Sequence, residues 1–196
     1  LVLLTHEHND HLDLNLLRSL RDQPVTWVIP GFLQPLVAEK ADLPAERILT
    51  PQVGSSFQYR NLTITAFDAL HFHGSRGVPE LGYLVESGSK RWLFPGDTRS
   101  YAHAQLPEFG RLDAIFAHLW LGKACALQPE PPQLEAFCDF YARFDTHRLI
   151  VTHLYEFGRE ADELWTLEHF KRVKAVLDKR AGLVVERALT GDCIAI

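Results

Sequence analysis

Seven consecutive residues, Thr5-His6-Glu7-His8-Asn9-Asp10-His11, bring three imidazoles and two carboxylates into one short stretch. Imidazole nitrogen and carboxylate oxygen together suit Zn²⁺, with manganese or iron as alternatives. His6 and His8 are two apart, so in extended backbone both side chains point the same way. Asp10 and His11 follow one step around, at the start of the next element. Adjacent pairs could therefore serve two cations, His6 with His8 and Asp10 with His11. Two protein ligands per cation are too few, so partners must come from downstream. The candidates stand at strand ends: His71 and His73, Asp97, and His153 after Leu149-Ile150-Val151-Thr152. A carboxylate such as Asp97 has two oxygens and can bridge two cations. Divalent cations would lower the pKa of a bound water from about 15.7 to near 7, which makes a hydroxide available at neutral pH. That hydroxide would attack a carbonyl carbon or a phosphorus, with Asp10 helping to orient it.

The elements that must hold these residues show in the apolar periodicity. Residues 1–4 are an apolar run ending at the His cluster, which reads as a buried strand. Residues 12–21 and 32–41 read as helices, with a strand at 25–29 between them and a strand and turn at 48–53. Residues 57–60 and 62–67 read as a hairpin around Asn61. A second hairpin, 81–86 with 91–94, turns at Ser87-Gly88-Ser89. Beyond Asp97 the pattern predicts strands at 113–117, 148–151, 183–186 and 193–196. It predicts helices at 133–144 and 162–177, the latter with Leu164, Leu167, Phe170, Val173, Val176 and Leu177 on one stripe. This is an α/β pattern without repeat or linker, and residues 1–196 read as a single domain.

Composition narrows the function classes. A hydrophobic fraction of 46% with 23% charged residues belongs to a globular chain and excludes a disordered one. No apolar run is long enough for a transmembrane helix. A net charge of −5 argues against a general nucleic-acid binder, because phosphate neutralisation needs clustered Lys and Arg. It leaves a small-molecule substrate, including a nucleotide or phosphodiester in a metal pocket. Cys125, Cys138 and Cys193 are odd in number, far apart and without a CxxC pair. They argue against a disulfide framework or zinc knuckle and read as buried thiols in a reducing, cytoplasmic compartment. The chain contains no Met and opens within a strand, so it reads as a fragment.

The string His6-Glu7-His8-Asn9-Asp10-His11 after a strand, a later His, then Gly96-Asp97-Thr98 and finally Thr152-His153 resembles the metallo-β-lactamase superfamily over essentially the whole chain. With Leu12-Asp13 added, it looks most like the branch of ascorbate-lactone hydrolases and N-acyl-phosphatidylethanolamine phospholipase D type enzymes. The resemblance implies an αββα sandwich of two sheets covered by helices, with the site at one edge and the family's N-terminal strands lacking before Leu1. It implies two metal ions: His6, His8 and His71 would hold one, Asp10, His11 and His153 the other, and Asp97 would bridge them. Ala69-Leu70-His71-Phe72 resembles that branch's strand end. His73-Gly74-Ser75, with Pro79-Glu80-Leu81-Gly82-Tyr83, instead resembles the tRNA-processing branch, so His73 is the alternative third His. The implied activity is hydrolysis of an ester, lactone or phosphodiester by a bridging hydroxide. A nuclease or nucleotide phosphodiesterase of the same fold and a non-catalytic metal-binding module are the alternatives. Redox members carry Glu where this chain has His8, which disfavours electron transfer. His118 is a candidate proton donor at the pocket edge. Tyr155, Glu156 and Arg159 are candidates for substrate contact, and Thr5, Glu7 and Thr98 for fixing ligand orientation. His103, His147 and His169 read as ordinary surface or helix residues.

Overall fold

The chain begins with strand and helix in alternation: β1 (Val2–Leu3), α1 (Leu14–Ser19), β2 (Trp27–Val28), α2 (Gln34–Ala41) and β3 (Ile48–Leu49). A computed structural model describes residues 1–72, 75–180 and 182–195. The three strands pair in parallel, in the order β1-β2-β3. Parallel neighbours need a crossover, and α1 and α2 supply it. Helix α1 is shorter than the 12–21 expected from periodicity. Its start is set by Asp13, whose carboxylate accepts the backbone N–H groups of Asn15 and Leu16 at 2.8 and 3.1 Å.

The rest of the chain builds one seven-stranded sheet. Its strands are β4 (Ser56–Tyr59), β5 (Leu62–Asp68), β6 (Leu81–Ser87), β7 (Lys90–Phe94), β8 (Ala114–His118), β9 (Arg148–Thr152) and β10 (Val184–Arg187), in spatial order β10-β9-β8-β7-β6-β5-β4. From β4 to β7 the strands are antiparallel hairpins; from β7 to β10 they are parallel. Helices α3 (Leu134–Tyr141) and α4 (Leu167–Leu177) cover one face.

Side-chain alternation sorts this sheet onto two cores. Leu93, Ile115, Ala117, Leu149 and Val151 pack with Phe137, Tyr141, Val173 and Leu177 of α3 and α4. Their neighbours Trp92, Ala114 and Ile150 point the other way, toward Val28 and Leu3 of the small sheet. The period of two dictates that split. On the far side of the small sheet, Leu17, Val37 and Ala41 close a third core with Trp27 and Ile29. The layers are thus helix, sheet, sheet, helix, the expected αββα sandwich. Strands such as Leu149-Ile150-Val151 are buried on both faces, which is why they read as unbroken apolar runs.

Three local expectations change. Helix α4 begins at Leu167, not 162, because Thr166 caps it: the Thr166 hydroxyl accepts from the N–H of Glu168, and His169 Nδ1 accepts from the N–H of Thr166 at 3.0 Å. His169 lies in α4, as expected of a helix residue, and is a buried cap whose Nε2 lies 2.8 Å from the Ala126 carbonyl. Residues 193–195 form no strand and Ile196 lies outside the described residues. Cys125 and Cys138 are buried free thiols, but Cys193 is exposed.

Candidate metal centre

Both sheets deliver their chemistry to one edge. The Tyr83 hydroxyl donates to the Leu4 carbonyl at 2.6 Å, and the Leu81 N–H to the Thr5 carbonyl at 3.1 Å. These bonds stitch the end of β1 to the start of β6. Pairing of Asp68 with Leu81, Leu93 with Ile115, and His118 with Thr152 brings the ends of β5, β7, β8 and β9 to the same edge.

His6 sits fully buried at that seam. Its Nδ1 lies 2.8 Å from Glu80 Oε1, and its Nε2 faces His8 Nδ1 at 2.9 Å. Glu80 itself is 3% exposed and accepts the Asp97 N–H on both oxygens at 3.0 Å. One carboxylate thus orients an imidazole and the Asp97 loop together. Burial, with the nearby Asp97 charge, pushes Glu80 up to about 7. Gly96 makes room for it: φ is +74°, and a Cβ there would stand 2.6 Å from the Glu80 carboxylate. Glu80 was not singled out from the sequence. The available signal was an acid placed directly before a strand whose first five residues, Leu81-Gly82-Tyr83-Leu84-Val85, carry no charge.

His71 is buried with its ring 4.7 Å from that of His6 and 4.8 Å from that of His8. The Val78 N–H donates to its Nδ1 at 3.1 Å, while its buried Nε2 has no hydrogen-bond partner. The alternative, His73, lies outside the described residues. Burial lowers His6 to about 4 and His71 to about 3, so both rings are neutral at pH 7.

Asp97 is the centre of the arrangement. Its Oδ1 lies 2.6 Å from His118 Nδ1, 3.1 Å from His11 Nε2 and 3.6 Å from His153 Nε2. Burial alone would raise its pKa; hydrogen bonding to His11 and His118 outweighs burial and holds it well below the usual range. His11 moves upward because the Asp97 contact outweighs its burial. His153 rises to about 10, against its burial, through the carboxylates of Asp10 and Glu156. Its Nε2 is surrounded by oxygens of Glu156, Asp10 and Asp97 at 2.9, 3.5 and 3.6 Å, none of them aligned as a hydrogen bond. Its Nδ1 faces the Leu119 carbonyl at 3.4 Å. The backbone at His153 has φ +68°, a left-handed conformation costly for a residue with a Cβ.

Three groups of donor atoms therefore converge, with members of each group within 4.8 Å of one another: His6, His8, His71 and Asp97; His11, Asp97, His118 and His153; and Asp10, His153 and Glu156. Asp97 belongs to the first two. Asp10 borders the second group, 3.6 Å from His11, and is held by Arg159 at 2.5 Å. Thr5 contacts the Nδ1 atoms of His6 and His11 at 3.0 and 3.3 Å. Thr98, next to Asp97 in sequence, is buried. Nitrogen and carboxylate donors in this number, with buried imidazole nitrogens lacking hydrogen-bond partners, fit divalent cations of the zinc type.

A facing pair of sheets with helices outside and a His/Asp cluster at one edge is the metallo-β-lactamase architecture. A family model described as a beta-lactamase superfamily domain matches residues 1–154, and the chain belongs to that family. No curated protein matches the sequence. Among solved structures, Igni18, a metallo hydrolase from the archaeon Ignicoccus hospitalis, is similar at TM-score 0.70 and 15% identity, over 97% of this chain and 76% of that one. Zinc-bound PqqB from Methylobacterium extorquens is similar at TM-score 0.62 and 19% identity, over 96% and 71%. CmlA, a diiron β-hydroxylase from Streptomyces venezuelae, is similar at TM-score 0.68 and 15% identity, over 95% of this chain but 43% of that one. At such identities these likenesses concern the fold.

Proposed function

We propose that the protein is a dinuclear metal-dependent hydrolase acting on an ester, lactone or phosphodiester of a small molecule. The observation that carries this reading is Asp97, a buried carboxylate shared by two separate sets of imidazoles. In this reading His6, His8 and His71 hold one cation, and Asp10, His11 and His153 the other, with Asp97 between them. When bound, divalent cations supply Lewis acidity and bring the pKa of water to near 7.

The protein's own groups do the positioning. Glu80 accepts the Nδ1 proton of His6, which leaves Nε2 free as a ligand. His6 Nε2 and His8 Nδ1, 2.9 Å apart, already point at a common place. Ligation through His71 Nε2 would require that ring's proton on Nδ1, facing the Val78 N–H. Leaving that buried donor unpaired would cost about 1–3 kcal/mol, less than the roughly 10–16 kcal/mol of structural zinc sites. His118, whose Nδ1 lies 2.6 Å from Asp97 Oδ1, would hold or return a proton at the leaving oxygen. On the same fold PqqB holds zinc and CmlA iron, so the metal is to be measured.

Elemental analysis of the purified chain should find two divalent ions, and Zn²⁺ or Mn²⁺ should stimulate hydrolysis of bis-p-nitrophenyl phosphate or a lactone. Bound metal with turnover of neither would overturn the hydrolase reading. Glu80→Gln should weaken zinc binding about 10–100-fold, because it removes the charge beside His6 and sets an NH2 donor against the Asp97 N–H in either orientation of the amide. Chelator-competition titration measures this. Affinity within twofold of the parent would remove Glu80 from its positioning role.

A further inference from the structure

The cluster opens into a cavity of about 670 Å³, within the range that holds small ligands. His8, Asp10 and His153 lie in its wall. So do four cationic side chains: Arg76, Arg99, Lys123 and Arg159. They differ in what already neutralises them. Arg159 is paired, with Asp10 at 2.5 Å and Glu156 at 3.0 Å. Arg76 and Lys123 are exposed and have no ion-pair partner among the described residues. Arg99 reaches Asp97 only at 3.7 Å, and its buried Nε has no hydrogen-bond partner. Its guanidinium lies 6.0 Å from the ring centre of Trp120. Glu163, the remaining acid of the wall, accepts the Ala124 N–H at 3.2 Å.

Lys123 is held at the cavity by a constrained loop. Its neighbours Gly122 and Ala124 have φ of +126° and +49°. The loop is pinned by the Ala124 bond to Glu163 and by the Gln133 N–H donating to the Leu121 carbonyl at 3.0 Å. Trp120, Trp165 and Pro132 give the same wall an apolar surface.

Resting on the hydrolase reading, we propose that the substrate is a small anion with an apolar body. Its carboxylate or phosphate is held by Arg99, Lys123 and Arg76, in the cavity wall beside the metal-ligating cluster. Arg99 offers a planar fork matched to either oxyanion, while Lys123 and Arg76 add point attraction focused by the cavity walls. The three cations explain how an acidic chain, of net charge −5, accepts an anionic ligand: the balance is local.

Anions also bind metals directly, so the test begins on the full chain stripped with a chelator. Phenyl phosphate, benzoate and benzyl alcohol are titrated by calorimetry or by tryptophan fluorescence, since Trp120 and Trp165 line the cavity. At least one of the two anions should bind about tenfold or more tighter than the alcohol, and the tighter anion names the headgroup. Lys123→Gln and Arg76→Gln should each weaken that anion about fivefold, as expected for a partly exposed ion pair of about 1 kcal/mol. Added salt should weaken it further. The proposal is overturned if benzyl alcohol binds as tightly as both anions. It is equally overturned if anions bind only the zinc-loaded protein and both variants bind as the parent does. Binding to the stripped chain does not require turnover, so failure of the hydrolase reading would show separately, as absent metal or absent hydrolysis.

Discussion

Replacing Asp97 with alanine is expected to abolish hydrolysis and to bring bound metal below two ions per chain. Asp97 is the one residue common to both imidazole sets, with Oδ1 at 2.6 Å from His118 and 3.1 Å from His11. It is also 3% exposed, so its loss leaves its cationic partners uncompensated in the interior. Breaking one side of a buried charge pair costs about 3–5 kcal/mol, which could unfold the variant and blur the result. Asp97→Asn keeps the shape, keeps the backbone N–H that Glu80 accepts, and removes the charge together with one of the two acceptor oxygens. Even groups that merely orient a ligand typically contribute 10–100-fold to affinity or activity. Removing a shared ligand should therefore cut turnover at least about 100-fold in the folded Asn variant. Elemental analysis finding two metals per chain, with turnover within tenfold of the parent, would refute a bridging role.

His153→Gly is expected to lose one metal preferentially and most activity while the fold survives. The imidazole is enclosed by Asp10, Glu156 and Asp97 oxygens, and no hydrogen bond satisfies its Nε2. Without it the cation assigned to Asp10 and His11 keeps only those two and the bridge. Glycine is the informative substitute because the position has φ +68°. A left-handed non-glycine residue costs on the order of 1–2 kcal/mol, which glycine recovers and alanine does not. Comparing His153→Gly with His153→Ala thus separates the loss of a ligand from backbone strain. Both should lose activity at least about 100-fold, and the glycine variant should melt at the higher temperature of the two. Unchanged metal content and turnover in the glycine variant would sink the arrangement of two cations.

Strain at His153 is a case of a feature that no local pattern announces. Thr152-His153 reads as a strand end followed by a polar residue, and nothing in it implies a left-handed turn. That turn follows from where the chain must go next: Tyr155, also at positive φ, hydrogen-bonds Trp165, and the intervening segment carries Glu156 and Arg159 into the cavity wall. The helix expected from 162 shows the same division. Its apolar stripe was legible, but its first turn belongs to a loop, because capping by Thr166 and burial of Trp165 favour a later start.

The sequence by itself determined what is local. The run from His6 to His11 is a cluster whatever the remaining chain does, since six residues at a strand end cannot separate far. The apolar strands are equally explicit, because burial on both faces permits little else. Those two facts indicate an α/β chain with metal-ligating chemistry at a strand end; the sandwich itself was implied by the resemblance that His6–His11, Gly96-Asp97-Thr98 and Thr152-His153 carry. Only the tertiary structure decided which distant groups face each other. Strand order and register place Asp97 between two imidazole sets, set His118 against it, and seat Glu80 beneath His6. They also gather Arg76, Arg99 and Lys123 around one cavity although their own neighbourhoods look like ordinary surface. Spacing along a chain constrains residues a few positions apart. For residues a hundred positions apart, contact is set by the packing of two sheets, and that is a property of the whole fold.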